Sequence, residues 1–293
     1  PDSAATTEFH TFYRDYYPWF NARFKDRKLP ATPAGLYNPV RYAIQGNGKR
    51  LRPALLAAMG KAYSIPREKS LPAAFAVELV HNFSLVHDDI MDGDTRRHGQ
   101  ATLHTRWNTN LAILAGDGIF ALAYRDLMLL PAEYHTRMVR LLTTSVVEIC
   151  EGQALDLTFE QQENVTADDY LLMVRKKTGR LLHCAAIMGA VLGNAPDSDL
   201  DAISRYILNI GMMFQIQDDL LELTSDADTM GKSLGSDLTA GKKTFPLLVA
   251  RRDLPAIHRE ELESLLMPAS LADNGISPVC QFLRDHHVIE KID

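Results

Sequence analysis

Apolar or small residues recur every three to four positions through most of the chain, as in Leu71, Phe75, Leu79 and Phe83, and again in Leu111, Leu114 and Gly118. That period puts them on one face of a helix, and strand-like alternation is nowhere sustained. Prolines, which end or kink helices, leave long intervals open: after Pro72 the next is Pro131, then Pro196, then Pro246. The pattern predicts an all-α protein with long buried helices. Near the start, Phe9, Phe12, Tyr13, Tyr16, Tyr17, Trp19, Phe20 and Phe24 follow near-helical spacing, broken at Pro18, and predict core packing or a subunit contact. Pro30, Pro33, Gly35 and Pro39 predict a loop, and Leu114-Ala115-Gly116-Asp117 the start of a further helix whose small residues allow close packing.

Two apolar runs end in acid. In Ser84-Leu85-Val86-His87-Asp88-Asp89-Ile90-Met91-Asp92, Asp88 and Asp92 lie one turn apart on one helix face. Like charges at that spacing repel unless a cation sits between them. A lone D-D-x-x-D is more often a solvated helix end, but Phe214-Gln215-Ile216-Gln217-Asp218-Asp219-Leu220-Leu221-Glu222 repeats the spacing after another apolar run. Two such helices facing one another would form an oxygen-lined mouth. Mg2+ suits such a place, taking one or two carboxylates together with substrate phosphates. Upstream, Gly46-Asn47-Gly48-Lys49-Arg50-Leu51-Arg52-Pro53 joins a glycine turn to three cations at a predicted helix start, a combination that suits a diphosphate.

These motifs, with Gly241-Lys242-Lys243-Thr244-Phe245-Pro246 downstream, resemble the trans-isoprenyl diphosphate synthases, the short-chain polyprenyl synthetases that make farnesyl and geranylgeranyl diphosphate. The similarity runs over residues 46–246. It implies one polyprenyl synthetase domain over 1–293: an N-terminal helix and loop at 1–39, a catalytic core at 40–250 and C-terminal helices at 251–293. The fold it implies is a bundle of long antiparallel helices around a deep central cavity, of the isoprenoid synthase type. The partners it implies are isopentenyl diphosphate and an allylic diphosphate (dimethylallyl, geranyl or farnesyl), with about three Mg2+ ions and a homodimer.

Residue by residue, the resemblance gives Asp88, Asp92 and Asp218 to the metals and Asp89, Asp219 and Glu222 to metal-bound waters. It gives Lys49, Arg52, His81 and Arg97 to the homoallylic diphosphate, with Arg50 a weaker candidate. Arg96, Lys177, Lys232 and Lys242 fall to the allylic diphosphate, Thr178 and Gln215 to the reacting carbon, and Asp156 near the metals. His87 has no counterpart in the motif and reads as structural. Gly99-Gln100-Ala101-Thr102-Leu103-His104 departs from the family's G-x-P-T-x-H at Ala101. Residues 226–241 read as a lid carrying lysines.

Phe83 precedes Asp88 by five residues, about 7.5 Å along a helix axis. Its ring would floor the cavity, while Ser84 leaves room. The family reading of that pair is a C20 product, geranylgeranyl diphosphate, with farnesyl or longer chains as the alternative. The tail after Pro246 stops short of the family's usual end.

Composition trims the picture at its edges. An apolar fraction of 46% supplies a sizeable core, and a net charge of −6 argues against a nucleic-acid partner. Cys150, Cys184 and Cys280 match no metal or disulfide spacing. With no visible signal peptide and no run long enough to span a membrane, the expectation is cytoplasmic. The chain opens at Pro1, not methionine. Two rival functions stay in view. A terpene cyclase would carry an N-S-E-type second motif and leave residues 46–53 without a task. A catalytically silent partner subunit would have lost carboxylates or cations.

Overall fold

In the computed structural model, residues 4–224, 238 and 241–292 are described. Most of them are helical, as the apolar period predicts. Strand among them is confined to β1 (Arg96–Arg97) and β2 (Gln100–Ala101), an antiparallel pair with Arg96 opposite Ala101. The chain divides into two compact units, Pro1–Val147 with Leu181–Ile207, and Glu148–Arg180 with Leu208–Asp293.

In the first unit, helix α1 (Ala4–Lys25) runs unbroken through Pro18. The predicted interruption is therefore absent. A proline inside a helix removes one backbone hydrogen bond, and here an aromatic ladder outweighs it. Phe12, Tyr16, Phe20 and Phe24 stack at successive centroid distances of 5.4, 5.6 and 5.5 Å. Tyr16, Phe20 and Phe24 are wholly buried. The last two also meet Phe75 of α4 (Arg67–Met91) at 5.5 Å each.

The predicted loop is shorter than expected, because α2 (Ala34–Gln45) begins after Pro33 and carries Pro39 on its buried face with Val40 and Ile44. That face packs on α6 (Thr109–Leu127), where a Cβ on Gly118 would come 3.1 Å from Leu36 Cδ1. Leu114 to Asp117 accordingly lie inside α6 and do not open it. Helix α3 (Leu51–Ala62) packs on α4, and the single turn α5 (Leu103–Arg106) packs on α6. From Leu181 onward α9 (Arg180–Leu192) is apolar nearly all round and buried, as a central helix must be. Gly189 lets it approach α3 closely: a Cβ there would sit 2.1 Å from Leu56 O.

The second unit draws on α7 (Ala132–Gln161), α8 (Ala167–Val174), a π-helical turn Arg175–Gly179, α10 (Asp197–Thr224) and short C-terminal helices. Thr166 and Asp169 cap α8 reciprocally. Phe159, Tyr170, Met173, Val174 and Leu248 form one apolar cluster, and Leu223, Leu247, Leu262, Val279 and Leu283 belong to another.

Candidate active site

The first acidic motif ends α4. Asp92 closes the helix, its N–H donating to Asp88 O at 2.9 Å. The chain then turns through the β1–β2 hairpin, with φ of 48° at His98 and 76° at Gly99. This returns Arg97 to the carboxylates it has just left. Its Nε donates to Asp89 Oδ1, while Nη2 lies 3.6 Å from Asp88 Oδ2 and 3.4 Å from Asp94 Oδ2. Asp89 is buried, and Asp88 and Asp92 are half-buried. Burial pushes the Asp89 carboxyl up to about 6, against the pull of Arg97. Arg96 is exposed and donates to Gly99 O at 2.7 Å.

Beside this helix end the first unit holds a cavity of about 90 Å3, whose walls include Gly46, Gly48, Arg50, His81, Asp89 and Arg97. Lys49 is exposed, and neither it nor Arg52 is on the cavity wall. Arg52 Nη1 lies 3.2 Å from His81 Nε2. Burial, then the charges of Arg52, Arg50 and Arg97, hold the His81 imidazole well below its usual range. It is neutral at pH 7 and accepts from Arg52. Arg50, the weaker candidate, is buried at 4% exposure and bound to Glu78.

One turn up α4, the Phe83 ring lies 4.9 Å from Phe120 of α6, which meets Tyr124 at 5.1 Å. Ser84 donates to His81 O at 2.8 Å. His87 packs on α6, where a Cβ on Gly116 would fall 2.3 Å from its Nε2. The expected structural role of His87 agrees with that packing.

In the second unit the π-helical turn carries Lys177 and Thr178. Such turns widen a helix by one residue and are frequent at functional sites. Glycines wedge it on two sides: a Cβ on Gly152 would meet Lys177 N at 2.4 Å, and one on Gly211 would meet Gly179 Cα at 2.5 Å. Lys177 Nζ donates to Asp156 at 2.6 Å, and Thr178 Oγ1 to Gln215 Oε1 at 3.0 Å. Gln215 Nε2 in turn donates to Asp219 Oδ1 at 3.2 Å. Asp219 is buried and also accepts from Tyr170 OH at 2.6 Å and from Phe245 N–H at 2.9 Å. Glu222 is buried, Asp218 exposed and Lys242 half-buried. Lys232, and the predicted lid apart from Leu238 and Gly241, lie outside the described residues.

Both acidic motifs thus divide in the same way. The first aspartate of each reaches solvent, and the second is buried and held by the protein. Tyr170, Glu78 and Phe120 escaped sequence reasoning. The one available signal was at Glu78, a charge on an otherwise apolar helix face three residues before His81. Among the described residues no three or more His, Cys, Asp or Glu side chains gather into a metal cage. Asp88 and Asp92 in the first unit, and Asp218 in the second, instead offer hard carboxylate oxygens alone. Oxygens of that kind suit Mg2+, which keeps several waters and takes phosphate oxygens from substrate.

Among the described residues no helix is long and apolar enough to cross a membrane. The polyprenyl synthetase family profile matches residues 33–278. A geranylgeranyl diphosphate synthase of Methanosarcina mazei is 44% identical over 229 residues, 77% of this chain and 70% of that protein. A short chain isoprenyl diphosphate synthase of Methanocaldococcus jannaschii is 38% identical over 250 residues, 85% of this chain and 76% of that protein. The crystal structure of geranylgeranyl pyrophosphate synthetase from Pyrococcus horikoshii Ot3 superposes with a TM-score of 0.87 at 31% identity, covering 98% of this chain and 88% of that one. With the acidic motifs, the glycine–cation stretch and an all-helical fold already in place, these matches make the chain a member of the polyprenyl synthetase family and a prenyltransferase.

Proposed function

We propose that this prenyltransferase joins an allylic diphosphate head-to-tail to isopentenyl diphosphate, with geranylgeranyl diphosphate as its main product and a homodimer as its working form. The observation that carries the product assignment is the Phe83 ring, braced by Phe120 at 4.9 Å one turn behind the acidic motif. The sequence likeness to geranylgeranyl diphosphate synthases supports the same reading. For the dimer, α6 leaves Ile113 and Leu114 exposed, with Met128 just past its end exposed too.

In this reading Asp88, Asp92 and Asp218 would hold Mg2+, and Asp89, Asp219 and Glu222 would orient the water around it. Mg2+ supplies charge neutralisation to the departing pyrophosphate. Lys177, Arg96, Lys232 and Lys242 add positive charge to the same leaving group. Thr178 and Gln215 present oxygen dipoles to the allylic cation. They stabilise it without trapping it, since neither is an ionised nucleophile. Lys49, Arg52, His81 and Arg97 bind the second diphosphate. A neutral His81 donates from its Nδ1–H while its Nε2 stays with Arg52. The double bond of isopentenyl diphosphate attacks the cation, and the proton lost from the adduct goes to the departing pyrophosphate.

The test is uptake of labelled isopentenyl diphosphate by the purified protein with Mg2+ and each allylic primer, followed by chromatography of the dephosphorylated products. C20 alcohol is the expected main product, and no uptake with any primer would overturn the reading. Phe83→Ala should lengthen the products by at least one isoprene unit. Because Phe120 and Tyr124 stand behind Phe83, Phe83→Ala/Phe120→Ala should lengthen them further. An unchanged distribution in both variants would remove the aromatic floor from the account.

A further inference from the structure

Arg50 and Glu78 are an unusual pair to find beneath a substrate loop. Their side chains are each 2% exposed and meet at 2.5 Å. The Arg50 guanidinium uses all three of its nitrogens. Nε donates to Asn21 Oδ1 at 3.2 Å, Nη1 to Glu78 Oε1, and Nη2 to Gly46 O at 2.5 Å and Ile44 O at 3.3 Å. The same guanidinium lies 4.9 Å over the Phe24 ring. It thereby ties α1, the end of α2 and α4 to one point.

The backbone shows the same tension. Arg50 has φ of 50°, the left-handed region that a long side chain rarely occupies, immediately before α3. The Gly46 carbonyl that accepts from Arg50 also accepts from Gly48 N–H at 3.2 Å. A Cβ on Gly48 would lie 3.0 Å from Arg50 Nη1. The loop at 46–49 is therefore moulded on the guanidinium, and Gly46 and Gly48 form part of the cavity wall. A buried ion pair is seldom a gain in stability over apolar residues of similar volume. A planar fork that reaches several acceptors in fixed directions does something that apolar residues cannot.

We propose that the Arg50–Glu78 pair is a positioning device for the isopentenyl diphosphate site, fixing the 46–49 loop from beneath. Both residues border the cavity, but the guanidinium is taken up by Glu78 and the Ile44 and Gly46 carbonyls, so the pair acts through the loop it holds. This rests on the assignment of Lys49, Arg52 and His81 to that diphosphate.

The pair is best removed whole, so that no charge is left buried alone. For Arg50→Met/Glu78→Leu the expected result is a KM for isopentenyl diphosphate raised by up to about 100-fold, the scale of a small misplacement. The KM for the allylic diphosphate and the melting temperature should stay near wild type. An unchanged KM for isopentenyl diphosphate in the folded variant would overturn the proposal, and so would an equal rise in both KM values. If the double variant does not fold, Gly48→Ala decides, because it displaces the guanidinium by only a few tenths of an ångström. It should raise the same KM by about tenfold, and no rise would overturn the proposal. Failure of the wild type to take up isopentenyl diphosphate would instead count against the proposed function.

Discussion

Asp88→Asn lowers the condensation rate by about 1,000-fold, the loss expected when one strong electrostatic contact to a developing charge is removed. Thermal unfolding should hardly move. Asparagine keeps the shape of the side chain, and Arg97 retains Asp89 and Asp94 as partners. The substitution also takes one negative charge out of a crowd made of Asp88, Asp89, Asp92 and Asp94. Activity is read as labelled isopentenyl diphosphate incorporated at saturating Mg2+. A second readout needs no turnover: Mg2+ with inorganic pyrophosphate should raise the melting temperature of the wild type and leave the variant's in place. A variant within tenfold of wild-type rate, or stabilised equally by the ligand pair, would remove Asp88 from the proposed metal ligands.

The second large effect falls on stability. Asp219→Ala deletes the acceptor of three donors at once: Tyr170 OH, Phe245 N–H and Gln215 Nε2. Tyr170 is buried, so its hydroxyl cannot turn to bulk water. Each buried donor left unmade costs about 1–3 kcal/mol. The expected loss is about 2–5 kcal/mol, measured as a lowered midpoint in urea with an unchanged slope. Asp219→Asn, which keeps one carbonyl oxygen, should recover part of it. Gln215 would also lose the bond that orients it, so the rate should fall in both variants. An unfolding midpoint equal to wild type in Asp219→Ala would show that these donors find other partners.

The helical class and both acidic motifs were legible because each is written in local spacing: periods of three to four, and carboxylates one turn apart. Where the local rules failed, packing overrode them. Pro18 stops no helix because the Tyr16–Phe20–Phe24 ladder is already locked against Phe75. Pro39 stops none because it lies on the buried face of α2. The site was legible as a set of motifs but not as a network. Tyr170 reaches Asp219 across 49 positions of sequence, and Arg50 finds Glu78 across 28. No period or spacing links such pairs. In the basic run at 49–52 the sequence ranks Arg50 below Lys49 and Arg52 without a place for it, and the fold sorts the three. Lys49 is exposed, Arg52 lies beside His81, and Arg50 is turned inward.

The wedged turn at Arg175–Gly179 has one more implication. Lys177 and Thr178 are consecutive, and both are carried by backbone that touches bare α-carbons at Gly152 and Gly211. Any side chain added at either glycine would shift the lysine and the threonine together, as a lever moves both its arms. Under the proposed mechanism, grip on the departing group and shielding of the cation would therefore share one hinge, and a designer who wants to retune one alone must work at the tips of the side chains.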